Sequence, residues 1–370
     1  MVHLPGVFRH TTTVDFPRLR ALMTEWGEPA YRYRQLVAGA TRGLAGDYDE
    51  ITDLPRALRQ RLALAEPLYE LAADLDQTSR DGTIKLRFVT RDGFPVEAVA
   101  MRHRNRRTVC VSSQSGCPLA CTFCATGAMG LGRNLTAGEI AEQVLVMARM
   151  LAAGGERVSN VVMMGMGEPF LNYDAVLAAC RTLNDPDGFG LGARQIAIST
   201  AGWVPGIRRL AAEPLQVKLA LSLHAPDDRL RGELMPVNRR YPLSELMAAC
   251  ADYRDRTRRR IFVEYLLLDG VNDGDDQAAG LAALLGGDGF HVNLIAYNPT
   301  GGDLRASPPE RVAAFARVLA ARGVRASYRR SHGQDIDAAC GQLAVRGARE
   351  LRQRRARERR DRRVASSAAI

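Results

Sequence analysis

Short apolar segments alternate with amphipathic segments along the last two thirds of the 370-residue chain. Runs of strand length are followed by stretches in which apolar residues recur at helical spacing. Strands are predicted at residues 108–112, 160–164, 195–200, 217–223, 261–268, 292–297 and 324–329. Helices are predicted between them, for example at residues 137–152, 205–212, 243–253 and 309–321.

This alternation predicts an α/β fold with a parallel sheet, because a helix usually forms the crossover between parallel strands. Six or seven strand–helix units are fewer than the eight of a complete barrel. We therefore expect a partial (β/α)6 barrel whose mouth is wide enough for a large substrate. In such barrels the chemistry takes place at the carboxyl ends of the strands.

The first hundred residues follow a different pattern. Helical spacing over residues 16–75 predicts short helices that are interrupted by Pro29 and Pro55. Residues 83–101 are typical of a β-hairpin with a turn near Asp92 and Gly93. The predicted domains are a helical accessory domain at 1–75, a hairpin linker at 76–102, a barrel core at 103–343 and a basic tail at 344–370.

The charge distribution indicates a polyanionic partner. The net charge is +10, from 51 basic and 41 acidic residues. Arginines are concentrated at residues 102–107, 254–260 and 346–363, and the last segment has ten arginines against three acidic residues. Such clusters suit RNA. For the last segment alone, a solvated basic helix is an equally good interpretation.

The start of the chain lacks the pattern of a signal peptide, and no apolar run approaches the ~18 residues of a membrane span. We therefore expect a soluble, cytoplasmic protein. The seven cysteines are odd in number, and three of them are clustered. This favours a metal site in a reducing compartment over a set of disulfides.

The clustered cysteines, Cys117, Cys121 and Cys124, have the spacing C-x3-C-x2-C. Three thiolates on a tight loop can bind three irons of a [4Fe–4S] cluster. Because no fourth cysteine is close in sequence, the fourth iron would stay open to a small ligand. S-adenosylmethionine (SAM) needs such an iron to bind through its amino and carboxylate groups and to be cleaved to a radical. A zinc site usually requires a second pair of ligands, which the sequence lacks.

Small and polar residues follow several predicted strands. Gly167 would let the backbone approach a ligand closely, and Glu168 could bind the SAM ammonium group. Three further strand ends carry Ser199, then Ser222 with Leu223 and His224, and then Asn298. A single residue of this kind usually only completes a hydrogen bond within the fold, but the shared strand-end position favours one common ligand site.

Two other cysteines lie apart from this motif. Cys110 precedes it by seven residues, and Cys340 lies near the carboxyl terminus. Taken alone, each is most simply interpreted as a buried, inert thiol. The same interpretation holds for Cys180 and Cys250, which lie on apolar helical stretches.

Together these segments resemble the RlmN/Cfr family of radical-SAM RNA adenine methyltransferases. The resemblance is carried by residues 109–117, 165–169, 222–225 and 335–343, and it extends from about residue 28 to residue 343. The paired presence of Cys110 and Cys340 distinguishes this family from other radical-SAM enzymes. The resemblance implies a [4Fe–4S] cluster, two molecules of SAM per turnover, an RNA substrate, and an electron donor such as flavodoxin or ferredoxin.

The resemblance also implies roles for the matching residues. Cys117, Cys121 and Cys124 would hold the cluster. The SAM-binding positions would be Gly167, Glu168, Ser199, Ser222, Leu223, His224 and Asn298.

The same resemblance implies a mechanism that uses the two separate cysteines. Cys340 would take a methyl group from one SAM, and a radical derived from a second SAM would activate that methyl for addition to an adenine ring carbon. Cys110 would resolve the protein–RNA adduct through a transient Cys110–Cys340 disulfide. Glu97 matches the proposed proton acceptor of the family.

Three functions stay open at this point. The first is methylation of adenine C2 in 23S rRNA, with tRNA as a further substrate; we favour it because it is the commoner housekeeping activity. The second is methylation of C8, the antibiotic-resistance activity, since residues 28–32 and 234–236 are at least as similar to that branch. The third is a zinc-containing RNA-binding protein without catalysis, which would leave Cys110 and Cys340 unexplained.

Overall fold

The computed structural model describes residues 16–329 and 331–343. Its strands are β1 (Ala72–Thr78), β2 (Ile84–Val89), β3 (Pro95–His103), β4 (Arg106–Cys110), β5 (Gln114–Gly116), β6 (Leu131–Asn134), β7 (Asn160–Met163), β8 (Ile196–Thr200), β9 (Lys218–Ser222), β10 (Ile261–Leu267), β11 (Phe290–Ala296) and β12 (Ala326–Arg329). Its helices are α1 (Phe16–Glu25), α2 (Ala30–Thr41), α3 (Arg56–Ala65), α4 (Ala125–Met129), α5 (Ala137–Ala153), α6 (Tyr173–Asn184), α7 (Val204–Ala211), α8 (Asp228–Leu234), α9 (Leu243–Thr257), α10 (Asp275–Leu285) and α11 (Pro309–Ala321).

One mixed sheet dominates the described part of the chain, with the strand order β1-β2-β3-β4-β7-β8-β9-β10-β11-β12. Strands β1 to β4 pair antiparallel. From β4 to β12 every pairing is parallel. Six strand–helix units followed by β12 therefore form the parallel part, and the linear order leaves the described barrel open. The predicted partial barrel is confirmed.

The core lies between the outer face of the sheet and the surrounding helices. On β10, Val263, Tyr265 and Leu267 are fully buried, and the ring of Tyr265 stacks on Phe315 of α11 at 5.1 Å. Because successive strand residues point to opposite faces, Glu264 faces the interior of the barrel instead. Each buried aliphatic side chain of this core contributes about 2 kcal/mol, so the helix-facing positions hold the strands in place.

The amino-terminal helices form a small second core. Leu19, Leu36 and Leu62 are fully buried in it, and Leu145 of α5 joins it to the barrel. Glu142 of α5 strengthens the connection, since its carboxylate accepts the N–H groups of residues 70 and 71 at 2.8 and 2.7 Å. The short helices predicted for this region are confirmed. The predicted domain boundaries stay predictions.

The helical prediction was wrong at residues 72–75, which belong to β1. This strand pairs antiparallel with β2 and turns the predicted hairpin into a three-stranded extension of the sheet. The predicted barrel strands agree with the observed ones to within two residues at each end. Within the described ranges, no helix is both long and apolar enough to cross a membrane. The predicted basic tail at 344–370 lies outside the described residues.

Candidate active site

A cavity opens at the carboxyl ends of the parallel strands. Ten of the predicted functional residues line it: Cys110, Cys117, Cys121, Cys124, Gly167, Glu168, Ser199, Ser222, His224 and Cys340. The structure thus brings together residues that are up to 230 positions apart, as expected for strand ends that meet at one edge of a sheet. The other three predicted residues, Glu97, Leu223 and Asn298, are not part of this lining.

Backbone geometry shapes the three-cysteine loop. Gly116 has a φ of 76°, and a Cβ at this position would lie 1.9 Å from the carbonyl oxygen of Gly130. No other residue fits there. Ala120 is also left-handed, with a φ of 52°. The Thr122 N–H donates to the carbonyl of Leu234 at 3.0 Å, which ties the loop to α8.

The three thiols lie close to one another in the cavity wall. Burial raises the pKa of Cys117 to about 12, and Cys124 adds to this shift. Burial and the two neighbouring cysteines also raise the pKa of Cys121. Thiolates in such surroundings need a cationic centre.

The donor set fits an iron–sulfur cluster. Across the described ranges, no group of three or more His, Cys, Asp or Glu converges on a single metal position. Convergence is not required here, because each cysteine of a cluster binds a different iron. A loop of three mutually close, partly exposed cysteines, with no fourth cysteine on the loop itself, is the set that a [4Fe–4S] cluster with an open iron requires.

Glu168 lies in the cavity wall after β7. Its Oε2 accepts the N–H of Ala201 at 2.8 Å, and its Oε1 accepts the N–H of Phe170 at 3.1 Å. Burial raises the pKa of Glu168 to about 7, although hydrogen bonds from Ala201, Thr200 and Phe170 oppose the shift. A buried carboxylate of this kind is stabilised by an ammonium ligand.

Gln114 positions this segment and was missed by the sequence reasoning. Its Oε1 accepts the Glu168 N–H at 2.9 Å. Gly167 has a φ of 102°, and a Cβ there would lie 2.6 Å from the Cβ of Gln114. The glycine is therefore required for the close approach of two backbone segments.

His224 is held as a neutral ring. Its Nδ1 accepts the Leu266 N–H at 3.0 Å, and burial lowers its pKa to about 3, with a smaller contribution from Arg231. The neutral ring consequently carries its proton on Nε2. Its edge packs on the ring of Phe123 at 4.9 Å.

The buried side chain of Asn272 supports the backbone around His224 and was also missed by the sequence reasoning. Its Nδ2 donates to the carbonyls of His224 and Leu266 at 2.8 and 2.6 Å. Leu223 packs its side chain into the hydrophobic core. Its N–H donates to the Glu264 carbonyl at 3.1 Å, so Leu223 helps to fix the end of β9 from behind the cavity wall.

Cys110 and Cys340 face the same part of the cavity. Burial raises the pKa of Cys110 to about 12, and the nearby Cys340 adds to this shift. The Cys340 residue is open to the cavity, while protein atoms enclose its thiol on the other sides. Enclosure raises the pKa of Cys340, and the Arg329 guanidinium acts against this shift. Arg329 is itself held by Glu264 at 3.3 Å.

Asn298 supports the Cys340 segment from outside the cavity. Its Nδ2 donates to the Cys340 carbonyl at 3.2 Å, and its Oδ1 accepts from Gln334 at 2.7 Å. Lys85 of β2 contacts the same segment, since its Nζ donates to the Asp337 carbonyl at 3.3 Å. These contacts fix the position of the Cys340 backbone.

Glu97 lies behind the cavity wall rather than in it. It is buried on β3, with its Oε1 3.6 Å from the Nζ of Lys85. Its carbonyl accepts a hydrogen bond from the Ser112 hydroxyl at 2.6 Å. Val99, two residues further on the same strand, lines the cavity opposite Cys110 in the β3–β4 register. The role predicted for Glu97 stays a prediction.

Cys180 and Cys250 are fully buried on α6 and α9, as their apolar surroundings predicted.

Comparison with known proteins identifies the family. Residues 111–282 match the model of the Radical SAM superfamily. The protein named "Probable dual-specificity RNA methyltransferase RlmN" from Symbiobacterium thermophilum is 49% identical over 332 residues, which cover 89% of each chain. The chain belongs to the RlmN/Cfr family of radical-SAM RNA (adenine) methyltransferases.

Other relatives agree with this membership. The "Dual-specificity RNA methyltransferase RlmN" of an Anaeromyxobacter strain is 48% identical over 341 residues, which cover 90% of each chain. A crystal structure of "a radical SAM methyltransferase from Sphaerobacter thermophilus" shares 50% identity with a TM-score of 0.87, over 90% of this chain and 98% of that one. This RlmN/Cfr family member is therefore a SAM-dependent enzyme with a [4Fe–4S] cluster. That conclusion decides against the non-catalytic zinc protein.

Proposed function

We propose that this enzyme methylates C2 of an adenosine in 23S rRNA, and also in tRNA, by way of a methyl group carried on Cys340. The observation that supports this most is the placement of Cys110 and Cys340 together in the cavity that contains the three-cysteine loop. The curated relatives named above carry the RlmN name, and that name supports the C2 branch over the C8 branch.

Cys117, Cys121 and Cys124 would hold the cluster, whose bound form supplies a 5′-deoxyadenosyl radical from SAM. Glu168 would accept the ammonium group of SAM, because its buried carboxylate has two oxygens in the cavity wall. His224 would donate from Nε2 without adding charge, since its Nδ1 is already an acceptor.

Cys340 would be the methyl carrier. Its thiolate would attack the methyl carbon of SAM and release S-adenosylhomocysteine, and Arg329 favours that thiolate by its positive charge. A thioether methyl can then form a carbon-centred radical that adds to an electrophilic ring carbon of adenine. Cys110 lies close enough to Cys340 for the two thiols to affect each other electrostatically, which suits its proposed role in releasing the product through a transient disulfide.

Three further assignments belong to this proposal. Glu97 would act as proton acceptor, and its side chain has to reach the cavity past Val99 to do so. The target base must leave its stack to enter the cavity, which favours a loop or single-stranded segment of RNA. An electron donor such as flavodoxin or ferredoxin would supply the electron for SAM cleavage.

Nucleoside mass spectrometry tests the proposal. Cells that lack the gene would be complemented with the wild-type protein, with Cys340→Ala, or with Cys180→Ala as a matched control in the core. We expect 2-methyladenosine in 23S rRNA and tRNA with the wild type and the control, and none with Cys340→Ala. A gain of 8-methyladenosine would assign the enzyme to the C8 branch. Normal product from Cys340→Ala would refute the carrier role, and the absence of either nucleoside despite a loaded cluster would refute the proposed substrate.

A further inference from the structure

Arg231 of α8 is one of the largest fully buried side chains of the molecule. Its guanidinium reaches backbone carbonyls at the ends of two parallel strands. Nε donates to Leu223 at 3.1 Å, and Nη2 donates to Ala201 at 2.7 Å and to Ser222 at 3.3 Å. Nη1 donates to the Oδ1 of Asn238 at 2.7 Å. All four acceptors are uncharged.

A buried cation of this kind is costly. Burial lowers the pKa of Arg231 to about 10, so the side chain still carries its charge at neutral pH. The carboxylate that interacts with it, Asp228 on the same helix, is engaged elsewhere: its Oδ1 accepts from Asn238 and from the Leu243 N–H, both at 2.8 Å. Taking a guanidinium out of water without an ion pair costs several kcal/mol. The fold therefore maintains a positive charge that hydrogen bonds to neutral groups do not balance.

The charge lies beside the three-cysteine loop. The Nη2 of Arg231 donates to the carbonyls of Ala201 and Ser222, two residues that line the same cavity as Cys121. The same helix meets the loop directly, because its last carbonyl, that of Leu234, accepts the Thr122 N–H at 3.0 Å. The other titratable groups that interact with Arg231 are His224, which is neutral, and the buried thiol of Cys250.

An iron–sulfur core held by three thiolates has a net negative charge and gains another on reduction. A fixed cation nearby stabilises the reduced form more than the oxidised form, because it meets one more negative charge there. Low local polarity strengthens this effect.

We infer that Arg231 is the counter-charge of the cluster site and that it raises the reduction potential of the cluster. Arg231 acts through its electric field rather than by ligation, and it also positions the strand ends that carry Ser199 and Ser222. The inference rests on the assignment of the cluster to Cys117, Cys121 and Cys124. It is independent of which RNA, or which ring carbon, is methylated.

The test is a redox titration of the reconstituted holoenzyme, followed by electron paramagnetic resonance of the reduced cluster. Arg231→Gln removes the charge and keeps a hydrogen-bond donor, whereas Arg231→Lys keeps the charge. Arg209→Gln is the control, because Arg209 is half-exposed and pairs with Asp174. We expect Arg231→Gln to shift the reduced-to-oxidised ratio at a fixed potential at least about tenfold toward the oxidised form, a displacement of roughly 59 mV for one electron. Arg231→Lys should keep most of the wild-type ratio, and the control should show no shift.

A purely structural role for Arg231 would give a different result. It would lower the melting temperature of the apoprotein in Arg231→Gln and leave the potential unchanged, and a ratio within twofold of the wild type would overturn the inference. If Arg231→Gln does not fold, Arg231→Met has the same expected shift. A wild-type protein that binds no cluster would overturn the proposed function instead, so the two failures are distinguishable.

Discussion

Burial sets the charge state of single residues in the candidate site. Glu168 is the clearest case, because its carboxylate is enclosed and yet its hydrogen-bond partners are backbone N–H groups and the Thr200 side chain rather than cations. Its pKa of about 7 lies well above the ordinary value of 4.5. The folded apoprotein therefore binds a proton at this position over a pH range in which the unfolded chain does not.

This difference makes the stability of the apoprotein depend on pH. A raised pKa in the folded state means that stability falls as pH rises from about 4.5 to 7. Glu168→Gln removes this dependence. The melting temperature of the variant minus that of the wild type should therefore be more positive at pH 8 than at pH 5, by the equivalent of up to ~3 kcal/mol in the free energy of unfolding. Thermal unfolding at the two pH values is the measurement. Glu213→Gln, at a surface ion pair with Arg181, serves as the control, and an equal difference at both pH values would contradict the expectation.

Cys110 provides a second expectation for a single residue. Cys110→Ala should still form the bond between Cys340 and RNA, because it leaves the carrier thiol in place. It should fail to release the product, because the resolving thiol is missing. A covalent protein–RNA species resistant to denaturation should accumulate, detectable by gel electrophoresis with labelled RNA. The fully buried Cys180→Ala variant should show no such species. Full turnover by Cys110→Ala without an adduct would refute the resolving role.

Strands and helices were predictable where their burial pattern is regular. The barrel strands β7 to β11 are apolar on the helix-facing side, and each was found within two residues of its predicted position. β1 was missed because it is an edge strand with mostly exposed residues, so its sequence carries little apolar patterning. The two-stranded β5–β6 pair was missed because it is short.

The residues of the candidate site were likewise predictable only where the local sequence carries a pattern. The cysteine loop and the strand-end residues were predicted because they form local motifs. Gln114, Asn272 and Arg231 were not, because their contacts join segments that are distant in sequence. Gln114 meets Glu168, which is 54 residues away, and Arg231 meets Ala201, which is 30 residues away. A sequence pattern does not encode such pairs of hydrogen-bond partners.

The Cys340 segment depends on an element outside the barrel, the turn between β1 and β2. Asp335 accepts from the Ser79 hydroxyl at 2.5 Å and from the Arg80 N–H at 3.2 Å. Asp81 of the turn accepts the Gly333 N–H at 3.1 Å. The amino-terminal extension of the sheet thus holds the loop that carries Cys340, the proposed methyl carrier.

Loosening this contact should make the thiol of Cys340 more accessible to reagents. Asp335→Ala removes two hydrogen bonds from the segment. We take their combined contribution as that of about one typical hydrogen bond, the loss of which changes a local opening equilibrium roughly three- to tenfold. Alkylation of Cys340 in the apoprotein, followed site by site with mass spectrometry, should accelerate by a factor in this range. Asp74→Ala, which breaks the Asp74–Arg87 pair on the same strands without touching the segment, is the control. An unchanged rate would show that the turn does not restrain the loop.

The position of the basic clusters in the whole molecule bears on how RNA binds. β4 begins at Arg106 and β10 at Ile261, so the arginines of residues 102–107 and 254–260 lie at the amino ends of the strands. Residues 254–260 therefore lie away from the cavity, whereas Met101 lines it and the ring of His103 lies 6.0 Å from that of the cavity-lining His332. Several of these arginines are also engaged within the fold, since Arg102 and Arg107 both pair with Glu156. The cluster at 254–260 is therefore poorly placed to bind RNA at the cavity mouth, whereas the cluster at 102–107 lies closer to it.

The remaining cluster, with ten arginines between residues 346 and 363, follows the Cys340 segment directly in sequence. Because Leu343 lines the cavity, this cluster starts only a few residues from the site.

If its arginines contact phosphates, deleting residues 347–370 should weaken RNA binding and reduce the slope of log K against log salt concentration. Each lost contact accounts for about 0.7 to 0.9 of the slope, so the loss of several contacts should be well resolved. Binding titrations over a range of salt concentrations measure it, with Arg256→Gln as a control, because Arg256 precedes the amino end of β10 and pairs with Asp252. A slope equal to that of the full chain would mean that the tail is a solvated appendage and that RNA is held by the mouth of the barrel itself.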